Sequence, residues 1–432
     1  MLRTSIIAIG LAYFFARSGF PSFALQTLIP PPLPTSYSSF PSSSAFPSSP
    51  PAIQSINLAP TPGIWAPLPL KYCEDATTWD VSGRGSNKLV VLSCDPGRKE
   101  WNTVMGPMKD AAPKGQLWVV DPSLDEPHAI PVGLKNFPGT ISDFHPMGIE
   151  VFHHMGKGDI LYVVNHQKDR STVEVFELTI AKSKVMRVVA IYLTTLSHPS
   201  ISTGAPNSIA VISPTQFYLS HDHHFSRRST GFFNAWLNRV ETLAALPLSK
   251  IDLITHSLPK AKTFSDISIT AVASGLAFAN GLALSHDHST LAVASTTHRK
   301  ILFYTIDPSS HSLTLKEKVS VPYYPDNLSV APLEWNSDEF DTTTSFISAG
   351  HPHFFSLAAV AAGKSRGAKD THPGSWVTLV SPRKTNVTEA DDLGATFPTS
   401  ARATQSGKWE LRTLFQSDGN RIGEGEEKAF GS

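Results

Sequence analysis

The sequence is poor in cysteine, in net charge and in long apolar runs. Only two of its 432 residues are cysteine, Cys73 and Cys94. Two are too few for a disulfide framework or a thiolate metal site. They could pair with each other on a secretory route or remain two buried thiols, and the sequence does not choose. Charge cancels, with 36 Lys and Arg against 36 Asp and Glu, which argues against the basic footprint of a nucleic-acid-binding protein. The apolar run Ile6–Phe15 is too short for a membrane span, which takes ~20 apolar residues. Arg3 precedes it, so residues 1–20 read as a secretory signal peptide or, uncleaved, as an anchor. No fixed repeat word such as Trp-Asp marks the chain. Helical periodicity is strong only once, at Gly231–Leu246.

What is abundant is proline with serine, and then short apolar strands. Residues 21–69 carry runs such as Pro30-Pro-Pro-Leu-Pro34 and read as a flexible, partly polyproline linker. From about residue 70 onward the chain alternates short strands with turn signals such as Asp95-Pro-Gly, Asp121-Pro and Asp307-Pro. The clearest unit runs from Gly275 to Ile306, with strands at Leu282–Leu284, Leu291–Ala294 and Ile301–Ile306. So many turn-separated strands predict an all-β array, and radial repetition is one way to protect their edges. Trp409–Phe415 reads as a further strand. No closing hairpin is evident after it, so the last blade is expected to be incomplete.

Polar residues stand at the heads of several strands: Glu74 and Asp75, Asn207, Asn280, Asp326 and Asn327. Carboxylates mixed with carboxamides are hard oxygen donors suited to Ca²⁺, which takes about 6–8 oxygens. Each residue taken singly is equally a turn former before a strand. In a radial array, equivalent positions converge on the axis.

Several words resemble those of the paraoxonase/arylesterase family, calcium-dependent lactonases built as six-bladed β-propellers. They are Cys73-Glu-Asp75, Asp143-Phe-His-Pro-Met-Gly-Ile149, Val164-Asn-His166 followed by Ser171-Thr-Val-Glu-Val-Phe176, Pro206-Asn-Ser-Ile-Ala-Val211, Phe217-Tyr-Leu-Ser-His-Asp-His223, Phe278-Ala-Asn-Gly281, Asp326-Asn-Leu-Ser-Val330 and Gly350-His-Pro352. The resemblance implies a six-bladed propeller over 70–432. It implies that Glu74, Asn207, Asn280, Asp326 and Asn327 hold a catalytic Ca²⁺. Asp75 and the Ile149 carbonyl would hold a second, structural ion. His166 would belong to a water-activating histidine pair, and His223 and His351 would border the pocket. The activity implied is hydrolysis of small lactones or aryl esters, with Asp326 as a minor alternative for base or nucleophile.

The chain departs from that pattern in three places. Met147 stands where the family's first catalytic histidine is expected, and Met cannot take a proton from water. His145, two residues earlier on the same face of an extended strand, is the candidate substitute. Ser208 replaces a carboxylate of the second ion site, which should weaken it. The family's closing strand and its cysteine are not evident. These departures keep open a second reading, a metal-stabilised propeller that binds partners without efficient catalysis.

The helix at Gly231–Leu246 places Phe232, Phe233, Trp236, Leu237, Val240, Leu243 and Ala244 along one side. It is expected to pack that side across one propeller face, the alternative being a lid that touches lipid. His221-Asp-His-His224 suggests zinc by residue type but lacks a third ligand at suitable spacing. Asn386-Val-Thr388 is a usable glycosylation sequon on a secretory route, whereas a glycan at Asn327-Leu-Ser329 would block the metal.

Overall fold

The computed structural model describes residues 58–331 apart from short intervening segments, together with 54–55, 344–351, 354, 376–380 and 429–430. The leader 1–20, most of the linker 21–69, the Asn386 sequon and the strand expected at Trp409–Phe415 lie outside the described residues.

The strands form radially arranged antiparallel sheets, as the alternation predicts. The first sheet holds β1 (Cys73–Asp80), β2 (Lys88–Cys94), β3 (Gln116–Val120) and β4 (Ala129–Pro131). The second holds β5 (Gly133–Lys135), β6 (Pro146–Phe152), β7 (Asp159–His166), β8 (Ser171–Ala181) and β9 (Arg187–Leu196). Here β5 leaves the first sheet and adds in parallel to the outer edge of β9, tying two sheets together. The third holds β10 (Pro206–Ser213), β11 (Gln216–His221), β12 (Ser249–His256) and β13 (Ile267–Leu276). The fourth holds β14 (Ala279–Leu284), β15 (Thr290–Ser295), β16 (Lys300–Ile306) and β17 (Leu313–Ser320). The fifth has only β18 (Tyr324–Val330), β19 (Phe346–His351) and β20 (Trp376–Val380).

The fold is therefore all-β and propeller-like, with few helices. The six blades of the expectation are not reached among the described residues, which give four full blades and a three-stranded fifth sheet. The fifth sheet is linked to the first, because Ala331 and Ile347 share a buried cluster with Leu70, Cys73 and Ala76. Each remaining seam has its own apolar cluster. Examples are Trp79 and Val91 with Phe144 and Ile149, or Ala292 and Phe303 with Tyr323 and Phe346. Burial on both faces explains why these strands read as continuous apolar runs rather than strict alternation.

The five inner strands β1, β6, β10, β14 and β18 share one irregularity. Each slips register near its start, between Cys73 and Asp75, Pro146 and Ile149, Pro206 and Ile209, Ala279 and Leu282, and Pro325 and Leu328. A bulge bends its strand and re-aims the side chains within it. These slips fall on Glu74, Met147, Asn207, Asn280 and Asp326-Asn327. Two glycines let the bulges nest, since a Cβ on Gly148 would lie 2.1 Å from the Asn207 carbonyl oxygen and one on Gly281 2.5 Å from that of Asp326.

The structure also settles the cysteines. Cys73 and Cys94 face each other across β1 and β2 and are disulfide-bonded.

Between the second and third sheets, Tyr162 donates from its hydroxyl to the Pro214 carbonyl at 2.6 Å and meets His256 Nε2 at 3.2 Å. Burial pushes the His256 imidazole down to about 4. The unfolded chain takes a proton there below about 6.5 while the folded chain does not. Stability from this group is therefore lost as pH falls from about 6.5 toward 4, by about 1.2 kcal/mol per pH unit near pH 5. His256→Phe, which keeps a ring beside Phe217, should flatten that acid limb in denaturant unfolding at pH 7, 6 and 5. An unchanged slope contradicts the assignment.

Candidate metal centre on the propeller axis

The re-aimed side chains meet at the head of the axial channel. Asn327 donates from Nδ2 to the Glu74 carbonyl at 2.7 Å, joining the fifth sheet to the first. Asn280 donates from Nδ2 to Thr296 Oγ1 at 3.2 Å and to Asp326 Oδ1. Asn207 donates from Nδ2 to Asp222 Oδ2 at 3.2 Å. Each amide nitrogen is thus held by a neighbour, which fixes the direction of the amide oxygen.

Three buried oxygens of this set have no hydrogen-bond partner: Glu74 Oε2, Asn207 Oδ1 and Asn280 Oδ1. Buried polar atoms are rarely left so, because an unsatisfied one costs about 1–3 kcal/mol. Burial also pushes the Glu74 carboxyl well above its ordinary range, helped by the negative charges of Asp75, Asp326 and Asp222 and opposed by Arg98. Acceptors without donors around a crowded carboxylate fit a hard cation.

The second ion position differs in its hydrogen bonding. Asp75 accepts from Ala76 N–H through Oδ1 and from Ile149 N–H through Oδ2, each at 2.8 Å. Ser208 Oγ accepts from Leu282 N–H at 3.1 Å. Hydrogen bonds between neighbouring inner strands therefore engage the Asp75 and Ser208 side chains, none of whose oxygens lacks a partner. Burial raises the Asp75 carboxyl to about 7, so two backbone donors do not offset its desolvation. Below this level a cavity of about 340 Å³ runs along the axis, lined by all five inner strands.

The histidines separate into different roles. His166 donates from Nε2 to the Pro206 carbonyl at 2.7 Å, and Thr103 Oγ1 contacts its Nδ1. Burial, with Arg228 and Arg98 nearby, pushes it down to about 3. Both ring nitrogens are occupied, so the proton-accepting role expected of His166 has no free atom to act through. Met147 is buried against the Arg98 guanidinium, which also donates to the Pro146 carbonyl at 2.8 Å and to the Tyr72 carbonyl at 3.2 Å. His145 differs from both. Its Nδ1 donates to Asp95 Oδ2 at 2.8 Å, and its buried Nε2 has no hydrogen-bond partner, Asp143 being 4.0 Å away. His351 is buried with Nε2 4.0 Å from Asp326 Oδ2.

The histidines of the His221–His224 stretch turn to different carboxylates. His221 Nε2 lies 3.0 Å from Asp252 Oδ2. His223 instead donates from Nδ1 to Asp222 Oδ1 at 2.7 Å, with Nε2 2.6 Å from Thr242 Oγ1. Thr242 belongs to the helix α1 (Phe232–Leu243), whose expected apolar side is only partly turned inward: Leu237 and Val240 are half-buried and the following Ala244 is buried. Its inward residues are Asn238, Glu241 and Thr242, whereas Trp236 and Leu243 are exposed. The reason is local: Glu241 accepts from the backbone N–H groups of His224 and Phe225, and Asn238 donates to the Phe225 carbonyl. A loop with unpaired backbone groups requires polar partners, and the helix supplies them.

The family profile described as Arylesterase matches residues 106–361. The chain belongs to the arylesterase family. The matched residues include Asn207, Asn280, Asp326 and Asn327 but begin after Glu74. Mouse (Mus musculus) serum paraoxonase/arylesterase 1 is 29% identical over 227 residues, which is 52% of this chain and 56% of the relative. Human (Homo sapiens) serum paraoxonase/lactonase 3 is 29% identical over 189 residues, 44% of this chain and 46% of the relative. The chain spans about half the length of the curated relatives it matches. Among solved structures, a gluconolactonase from Xanthomonas campestris aligns with TM-score 0.37 and 14% identity over 66% of this chain and 71% of that one.

Within this arylesterase-family fold, sequence reasoning missed Asp95, Arg98 and Asp222. Asp95 sat inside a turn signal, and Asp222 inside the histidine run that suggested zinc.

Asn327→Ala takes away the donor that reaches the Glu74 carbonyl across the first and fifth sheets. The loss should be about 1–3 kcal/mol in denaturant unfolding, the cost of a buried group left unpaired. An unaltered midpoint would contradict the closing contact.

Proposed function

We propose that this chain is a calcium-dependent hydrolase of small lactones or aryl esters. The observation that supports the reading is that Glu74 Oε2, Asn207 Oδ1 and Asn280 Oδ1, on strand heads tied together through Asn327, Asp222 and Asp326, are buried acceptors without donors. Asp326 and Asn327 complete the set that would hold the ion, and the second, structural ion is left out. Bound calcium would polarise the carbonyl and stabilise the oxyanion. The names of the matched relatives, paraoxonase, arylesterase and lactonase, support the ester and lactone class.

The chain's own residues divide the remaining work. Glu74 brings the negative charge that a cation needs, and the anchored amides of Asn207 and Asn280 orient neutral donors. His145 is the group for proton transfer: Asp95 holds its Nδ1–H, which leaves Nε2 to accept a proton from water. His166 keeps the strand ends in register and stays neutral. Asp326, beside Asn280 and His351, remains the minor alternative for base or nucleophile.

The second reading, a binding module with little turnover, is favoured by one observation: Met147 packs on Arg98 where the family places a base. The disulfide supports passage through an oxidising compartment, in line with a secretory leader. The exposed Trp236 and Leu243 support apolar contact by the outer side of α1, such as a membrane surface. Among the described residues no helix is long and apolar enough to cross a membrane.

Purified protein should hydrolyse phenyl acetate or members of a lactone panel, lose that activity in chelator and regain it with Ca²⁺. Asn280→Ala should cost at least tenfold in activity at limiting calcium. Folded protein without turnover on the panel, with or without Ca²⁺ and also as Met147→His, favours the binding module.

A further inference from the structure

The geometry points to a polar relay, Asn207–Asp222–His223–Thr242, that couples the axial cation site to helix α1. Asp222 is fully buried and divides its carboxylate between two partners. Oδ2 accepts from Asn207, a residue of the axial set, at 3.2 Å, and Oδ1 accepts from His223 Nδ1 at 2.7 Å. His223 passes the connection on through Nε2, 2.6 Å from Thr242 Oγ1 on α1. Thr242 Oγ1 also lies 3.0 Å from the Asn238 carbonyl one turn earlier, so its single hydroxyl proton is shared between that oxygen and His223 Nε2. The Asp222 backbone is itself fixed, its carbonyl accepting from Ser249 Oγ at 2.7 Å and its N–H donating to the Ala205 carbonyl.

This chain of contacts is the inward side of the helix. Asn238, Glu241 and Thr242 face the propeller, and each bonds to the loop or histidine beneath. Helices usually dock by an apolar stripe, which tolerates sliding. A helix docked through hydrogen bonds has a defined position or none, because a half-made buried network is costly. Drawing the Asn207 oxygen onto a cation fixes its amide nitrogen against Asp222, then the His223 ring, then Thr242. Coupling of this kind is reciprocal, so whatever orders the helix also tightens the ion. Asp222, His223 and Thr242 are positioning residues here. The inference rests on the calcium reading of the axial site.

The test uses the full chain and calcium alone. In the unaltered protein, Ca²⁺ should slow backbone hydrogen exchange in Phe232–Leu243 at least threefold. Thr242→Val keeps the side-chain shape and removes the hydroxyl. It should weaken calcium about fivefold by calorimetry and abolish the calcium-dependent protection, while Thr242→Ser restores both. Normal calcium uptake with equal affinity in Thr242→Val, and helix exchange indifferent to calcium, overturns the relay and leaves the cation site standing. No calcium uptake by the unaltered protein overturns the cation site and the relay together.

Discussion

A carboxylate buried among other carboxylates is the constraint on which the rest depends. Glu74 sits at the head of the axis with Asp75, Asp222 and Asp326 close enough to raise its proton affinity, and Arg98 is the positive charge that opposes them. Taking an ionised carboxylate out of water costs several kcal/mol unless charge or hydrogen bonds compensate. The fold does not supply hydrogen bonds to Glu74 Oε2. It also leaves two further acceptors of the axial set, Asn207 Oδ1 and Asn280 Oδ1, without donors. That arrangement is costly for an empty protein and suitable for one that holds a cation.

The propeller pattern makes this placement possible. Inner strands from every sheet bring their first residues to one axis, and a register slip in each turns side chains inward there. The neighbouring residues then hold the axial ones in place. Asp222 fixes Asn207, Thr296 and Asp326 fix Asn280, and the Glu74 carbonyl fixes Asn327. Where a second ion would sit, Asp75 and Ser208 are instead spent on the N–H groups of Ile149 and Leu282. One position is left hungry for charge and the other is hydrogen-bonded.

Much of this could be read before any coordinates. Short apolar runs located the strands because both faces of each sheet are buried. Asn207, Asn280 and Asn327 stood out as polar residues at the head of such runs. What could not be read was set by distant pairing. His145 could be suspected from its spacing to Met147, but Asp95, its partner, lies fifty residues earlier in what looks like an ordinary turn. His166 is engaged at both ring nitrogens by Thr103 and Pro206, which local sequence does not connect with it. The helix was legible only in part, because periodicity reports which side is apolar. It does not report that a loop beneath needs Glu241 and Asn238 to satisfy its backbone. The expected six blades came from likeness and are not reached among the described residues, where Ala331 and Ile347 share a buried cluster with Leu70 and Cys73.

The most direct test is the number of calcium ions taken up per folded chain. Calorimetric titration of metal-free protein, with Glu74→Gln in parallel, measures it. The account predicts a single ion per chain, with uptake lost or sharply weakened in Glu74→Gln. No uptake, two equivalent ions, or binding indifferent to Glu74 would contradict it.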